Sequence, residues 1–417
     1  MRDEKAGSLR VLGRLLAGHT PGPDVDWAAI VGLARLHGLS ALLYWRLSEQ
    51  GGAGEGETRR GGDGEEGCGG LVVVSPGELE ALQRDFYAAA AQVMVAERQL
   101  AQVLAALATA GVPTLVVKGA AMGALYPDPA LRTYGDLDVL VPATQLDEAE
   151  KTLSRLGYRH TGPKEWWLKQ LQHLPPMMRS DGSLPVEVHW RLDEEGSLGH
   201  LPSGDLWARA VPWSVDGQAA LRLEVIDAVL HLCRHAVVQH RADLALRPLC
   251  DLAYGVEGWG EAEWEALARR ARVNDLGRPV YLMLSLAEQV LGLAVPEQAM
   301  AALRPPEPVP DNLVEQLLDR QSALATRVPM AVVRARAQAT TWARVRHFLW
   351  HLFLPRDGME AVYGVPADSP RIWLTYLWRP VDLLRRYGRS AWGALRGDPA
   401  ARAAWDREAW LERWLRG

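Results

Sequence analysis

Along residues 26–50, DWAAIVGLARLHGLSALLYWRLSEQ, apolar side chains return every three or four positions, the period of a helix with one buried face. The same period runs over 77–110, GELEALQRDFYAAAAQVMVAERQLAQVLAALATA, and stops at Gly111 and Pro113, residues that commonly follow a helix end. The pattern then changes. TLVVK (114–118) is β-branched and apolar and predicts a strand; AAMGALY (120–126) can make one or two helical turns; PDPALRTY (127–134) reads as a loop; and GDLDVLV (135–141) predicts a second strand. ATQLDEAEKTLSRLGY (143–158) predicts a helix ending at Gly157, and LPVEVHWRL (184–192) a further strand. From about residue 201 helical patterns return, first over 225–256 and then over 261–303.

This predicts an α+β protein: a small mixed sheet flanked by N-terminal and C-terminal helical regions. The expected units are a helical subdomain over 1–50, a flexible Gly-rich linker over 51–75 and an α/β core with its lead-in helix over 76–200. A helical domain completing a cleft follows over 201–304, then an Arg/Trp-rich helical region over 305–417. Residues 51–70 are half glycine with almost no apolar side chain, too little to offset the entropy of ordering.

Composition narrows the class. Hydrophobic residues make up 48% and charged residues 23%, a globular balance that excludes disorder for most of the chain. Cys68, Cys233 and Cys250 form neither a paired framework nor a CxxC knuckle, which fits a reducing compartment. The N-terminus lacks the apolar stretch of a secretion signal, and the cytoplasm is the expected location. The net charge of −5 provides no overall basic field for nucleic acid, although 16 arginines face 8 acidic residues from Gln321 onward. Neither a nucleic acid nor a membrane is the expected partner.

The chemistry is concentrated in the strand GDLDVLV. Aspartate is a poor strand former and costs free energy to bury unpaired, yet Asp136 and Asp138 interrupt this run. Side chains two apart share a strand face, so the two carboxylates are expected together, a repulsive arrangement that a hard cation such as Mg²⁺ relieves. Glu187 in PVEVHW adds a third acid, with His189 on its face and valines on the other. Three acids from neighbouring strands suit two-metal phosphoryl transfer. Gly119, directly after Lys118, leaves a turn open to a phosphate, and the chain has 41 arginines but only five lysines, so a lysine at this turn is notable. Arg132 is placed to reach the same phosphates. Each piece also has a plainer reading: a DxD as a solvated turn, Lys-Gly as an ordinary strand end, Glu187 as a surface residue. Their order along the chain favours a nucleotide and metal site.

The run KGAAMGALYPDPALRTYGDLDVLV followed by VEVHW resembles the nucleotidyltransferase superfamily related to DNA polymerase β, and more closely an uncharacterised bacterial branch of it. A helix bearing His231, His235 and His240, the pair Asp251-Leu252, and the closing FLWHLFLPRDGMEAVYG also resemble that branch. The resemblance implies Asp136, Asp138 and Glu187 as catalytic metal ligands for two Mg²⁺ ions. It implies Lys118, Gly119 and Arg132 at the phosphates of an NTP, with ATP the expected donor; His189, His235 and Asp251 are candidate substrate-side residues. The implied reaction moves a nucleoside monophosphate to a hydroxyl or similar group on a small molecule, peptide or protein and releases pyrophosphate. Genes for such relatives often neighbour natural-product or polysaccharide genes, which implies a tailoring role. One departure stands out: Gly119 is followed by Ala120 where many superfamily members carry serine. The alternative is a degenerate module that binds a nucleotide or partner without turnover.

Other candidates have weaker support. His231 and His235 have a spacing that can chelate zinc, with Cys233 and His240 near, but packing at a helix interface or lining of the cleft is the better reading. His347 and His351 repeat the spacing in an aromatic helix, where packing is again expected. Asp251 is a candidate partner for Arg247 or Arg241. The Arg/Trp tail admits packed helices with a solvated arginine face, an amphipathic helix on anionic lipid, or an RNA or peptide docking face; the first is the expectation.

Overall fold

A computed structural model describes residues 2–22, 24–51, 74–193, 197–240, 246–309, 342, 345–346, 349, 352–396 and 398–417. The linker expected over 51–75 falls almost wholly outside the described residues, as do Cys68, Arg241, His347 and His351.

Three helices open the chain, α1 (Arg2–Leu16), α2 (Trp27–His37) and α3 (Ser40–Gly51), and α4 (Pro76–Thr109) follows. The Ser75 side chain caps α4 by accepting from Glu78 N, Pro76 occupies its first turn, and Gly111 at φ +72° turns the chain away after its end. The α/β segment runs β1 (Leu115–Val116), α5 (Gly119–Gly123), β2 (Leu137–Leu140), α6 (Leu146–Arg155), β3 (Arg159–His160), α7 (Lys164–Gln170), β4 (Met177–Met178) and β5 (Val186–His189). After α8 (Ser203–Arg209) come β6 (Val211–Val215) and β7 (Gln218–Arg222). Helices complete the described chain: α9 (Val225–Arg234), α10 (Leu246–Gly255), α11 (Glu261–Val273), α12 (Gly277–Leu291), α13 (Glu297–Leu303), α14 (Arg356–Tyr363), α15 (Ile372–Arg396) and α16 (Pro399–Arg416).

The seven strands form one mixed sheet in the order β3-β4-β5-β2-β1-β7-β6, parallel at β5/β2 and β1/β7 and antiparallel elsewhere. The sheet therefore continues past residue 200, into a stretch whose pattern predicts helices. The reason is local: Asp216 (φ +45°) and Gly217 (φ +75°) both take the left-handed turn that closes a two-residue hairpin, and β7 then pairs with β1.

The sheet divides two cores. Val116, Leu137, Val139, Val186 and Val188 pack with the C-terminal half of α4 and with α6. Leu115, Val117 and Leu140 join the larger core built from α1–α3, α9–α13 and the end of α16. Residues that alternate along β1 and β2 therefore belong to different cores.

Candidate active site

β2 and β5 run parallel with Asp138 opposite Glu187 and Leu140 opposite His189. Because Leu140 belongs to the larger core, the acids and His189 lie on the sheet face turned toward α1–α3 and α9–α13. The valines of both strands fill the other face, as the alternation predicts.

Asp138 is only 3% exposed. Its Oδ1 accepts from Lys118 Nζ at 2.8 Å and from His189 Nε2 at 2.9 Å. Burial alone would push this carboxyl up, but the Lys118 ammonium and the His189 hydrogen bond outweigh it and hold Asp138 well below the usual carboxylate range. Lys118 stays charged for the reciprocal reason: burial opposes its ammonium, and Asp138, Glu187 and Asp136 more than restore it. Glu187 differs. Burial, then the Asp138 charge, push it up to about 7. Its Oε2 lies 3.7 Å from His189 Nε2 and 3.9 Å from His173 Nδ1.

Asp136 is half-buried in the bend before β2, since the strand begins at Leu137 rather than at the first aspartate. Burial, then the Asp138 charge, raise its carboxyl, against Lys118 and Arg132. Donor atoms of Asp138, Glu187 and His189 lie within 4.8 Å of one another, close enough to share an ion. Two adjoining carboxylates, one of which takes up a proton near neutral pH to relieve repulsion, suit a hard divalent cation.

Gly119 opens α5 at φ +38°, and a Cβ there would meet the Tyr134 ring at 3.3 Å. The glycine answers to backbone conformation and to close packing under Tyr134. Arg132, expected at the phosphates, and Asp251, a candidate substrate-side residue, are joined to each other. Arg132 donates from Nε (3.2 Å) and Nη2 (2.9 Å) to Asp251 on α10, and Tyr126 donates to the same carboxylate at 2.7 Å. Arg247, an expected Asp251 partner, instead donates to the carbonyls of Thr133 and Gly38. These contacts clasp the loop preceding the aspartates to the helical side of the molecule.

His231 on α9 is buried, both of its ring nitrogens lack a hydrogen-bond partner, and burial, with Lys118 and His189 adding to it, drives it well below its usual value. His235 is half-buried, its Nε2 shares a hydrogen bond with His240 Nε2 at 3.3 Å, and burial, then Lys118, drive it well below its usual value; it lies in the π-helical turn His235–Gln239 that prolongs α9, its ring centroid 5.9 Å from that of His231 and 4.4 Å from that of His240. Lys118 lowers both histidines and Asp138 acts in the opposite sense. Cys233 packs in the larger core. His173 was not legible in the sequence: a single bridge pairs it with His189, and its Nδ1 donates to the Leu174 carbonyl at 2.8 Å. No periodic pattern marks its loop.

The acids, the lysine turn and α9–α10 lie within residues 23–292, which match the profile of a family described as uncharacterised nucleotidyltransferase. The chain belongs to that family. It is therefore a nucleotidyltransferase, a transferase by class. Among solved structures it is similar to the antibiotic-resistance factor ANT(2'')-Ia, at 17% identity over 46% of this chain and 94% of that one; the TM-score of 0.32 is too low to carry an argument. No curated protein matches the chain. The family span ends before α13, so α14–α16 lie beyond it. No helix among the described residues is long and apolar enough to cross a membrane.

Proposed function

We propose that the chain transfers a nucleoside monophosphate from an NTP, with ATP the favoured donor, to a hydroxyl or similar acceptor on a small molecule, peptide or protein. The observation that carries this reading is the parallel register that sets Asp138 directly beside Glu187 on a buried face, with Asp136 one bend away. Asp136, Asp138 and Glu187 would hold Mg²⁺, which lends positive charge to the attacking and leaving oxygens when bound. The acceptor oxygen forms a bond to the α-phosphorus as the bond to pyrophosphate breaks, and the acceptor's proton passes to a nearby base. Glu187, beside the metal it would hold, is placed to help activate the acceptor. Lys118 offers a compact ammonium to the phosphates, a role left open by Ala120 in place of serine. His189 fixes Asp138 through its Nε2–H, and His235 would be a substrate-side residue. Arg132 and Asp251 act by position, holding the aspartate loop against α10. The buried free thiols Cys233 and Cys250 support a reducing compartment, the cytoplasm. A tailoring role in natural-product biosynthesis fits such a reaction.

The Lys118–Asp138 ion pair also favours a second reading, because an ammonium already neutralises the acid expected to bind metal. In that case the site binds a nucleotide or partner without turnover. Incubating the protein with Mg²⁺ and each α-labelled NTP, with and without cell lysate, separates the two. Transfer of label by wild type and not by Asp138→Asn supports the transferase. Mg²⁺-dependent retention without transfer supports the binding module, and neither retention nor transfer removes both.

A further inference from the structure

The expectation for the C-terminal tail is packed helices with a solvated arginine face, but α15 turns its apolar face outward. Trp373, Leu374, Leu377, Val381 and Leu384 are all exposed, Leu377 by 76% and Leu384 by 69%. At about 100° per residue, these positions together with Trp378 and Trp392 fall within an arc of roughly 140°, and Trp373 to Trp392 spans about 28 Å. The opposite side anchors the helix: Ile372 packs with Leu354 and Met359, Tyr363 donates to Asp382 at 2.9 Å, and Tyr376 donates to the Leu354 carbonyl at 2.7 Å. The exposed stripe is thus a defined face of a seated helix.

Its charge indicates what covers it. The helix carries five arginines against one aspartate. Each exposed tryptophan of α15 holds an arginine over its ring: Arg356 over Trp373 at 4.7 Å, Arg385 over Trp378 at 4.9 Å and Arg396 over Trp392 at 4.8 Å. Guanidinium groups stacked on indoles keep positive charge level with the edge of an apolar stripe, the arrangement of a helix lying in a lipid headgroup layer. A second copy on the same face would bring the two sets of arginines together, since a two-fold interface apposes identical surfaces.

We propose that α15 docks the protein on an anionic lipid surface, lying in its plane with Leu377 and Leu384 toward the acyl chains. The proposal is independent of the nucleotidyl-transfer reading, because α15 lies outside the family span. The test is co-sedimentation of the full chain with phosphatidylcholine vesicles, with and without phosphatidylglycerol. Wild type should partition onto the anionic vesicles and leave them as salt rises. The double variant Leu377→Glu/Leu384→Glu should lose binding by about tenfold or more. Arg385→Glu, which leaves the leucines in place, should weaken binding to anionic vesicles alone. Matching circular dichroism and melting temperature would show that the variants fold. Wild type remaining in the supernatant, equal binding by the double variant, or lipid-free dimerisation abolished by that variant would each overturn the proposal, the last by assigning the face to a second copy.

Discussion

On one side of the β2–β5 pair stand Leu137, Val139, Val186 and Val188, none more than 2% exposed; on the other stand Asp138, Leu140, Glu187 and His189. The same two four-residue strands supply both sides. On the dry side each side chain contributes about 1.5–3 kcal/mol through burial. On the polar side the protein holds carboxylates where burial opposes their charge, with Lys118 and His189 stabilising Asp138 but leaving Glu187 raised to about 7. The difference teaches that the valines fix the strand register and the register, in turn, forces Asp138 and Glu187 together. A one-residue slip of either strand would carry its acid into the valine core.

The largest expected effect is from Glu187→Gln, which removes a proposed metal ligand and proton acceptor while keeping the side-chain shape. Turnover should fall on the order of 10³-fold, about 4 kcal/mol in the barrier. Melting temperature should hold or rise, because the lost carboxylate is one whose ionisation burial and Asp138 oppose. Steady-state kinetics beside a thermal melt would check both, and turnover within about twofold of wild type would sink Glu187's assigned role.

A pH series sharpens the same comparison. Glu187 has a folded value of about 7 against an ordinary 4.5, so within that window the folded chain holds more protons than the unfolded one and stability falls as pH rises. The total curve hides this, because His231, His235 and His189 are depressed by burial and make stability rise with pH up to their ordinary value of 6.5. Subtracting the Glu187→Gln curve isolates the acid. With chelator present, wild-type stability relative to the variant should drop by up to about 3 kcal/mol across the window. Saturating Mg²⁺ should flatten that drop; an unchanged slope in denaturant titrations with and without Mg²⁺ would count against a metal at Glu187.

The polar face was legible where short-range pattern decides structure. Two acids two residues apart in GDLDVLV and a third in VEVHW mark a face, and Gly111 with Pro113 marks the end of α4. Legibility failed where distant contacts decide. Arg132 and Asp251 are 119 residues apart in sequence, and nothing local says that they close on each other. His173 owes its place to one bridge with His189. The β6–β7 hairpin is a different failure: its Asp216-Gly217 turn signal is plain, but the helical period of the following residues obscures it. The outward face of α15 is a failure of inference from composition. Amphipathic spacing marks the apolar stripe in the sequence and is silent on which side of the helix finds a partner.

The smallest of these effects tests the dry side alone. Val188 stands between Glu187 and His189, is fully buried, and belongs to the core on the far side of the sheet. Val188→Ala should remove about 2 kcal/mol of stability through lost burial and a small cavity. The backbone register of β5 depends on the whole valine row and on its ladder with β2, so Asp138 should still face Glu187 in the variant. Turnover per folded molecule should therefore stay within about twofold of wild type, even as the denaturation midpoint falls. Full stability with lost turnover would mean that the valine shapes the acid site directly, and that the two faces of the sheet are not the separable parts their burial suggests.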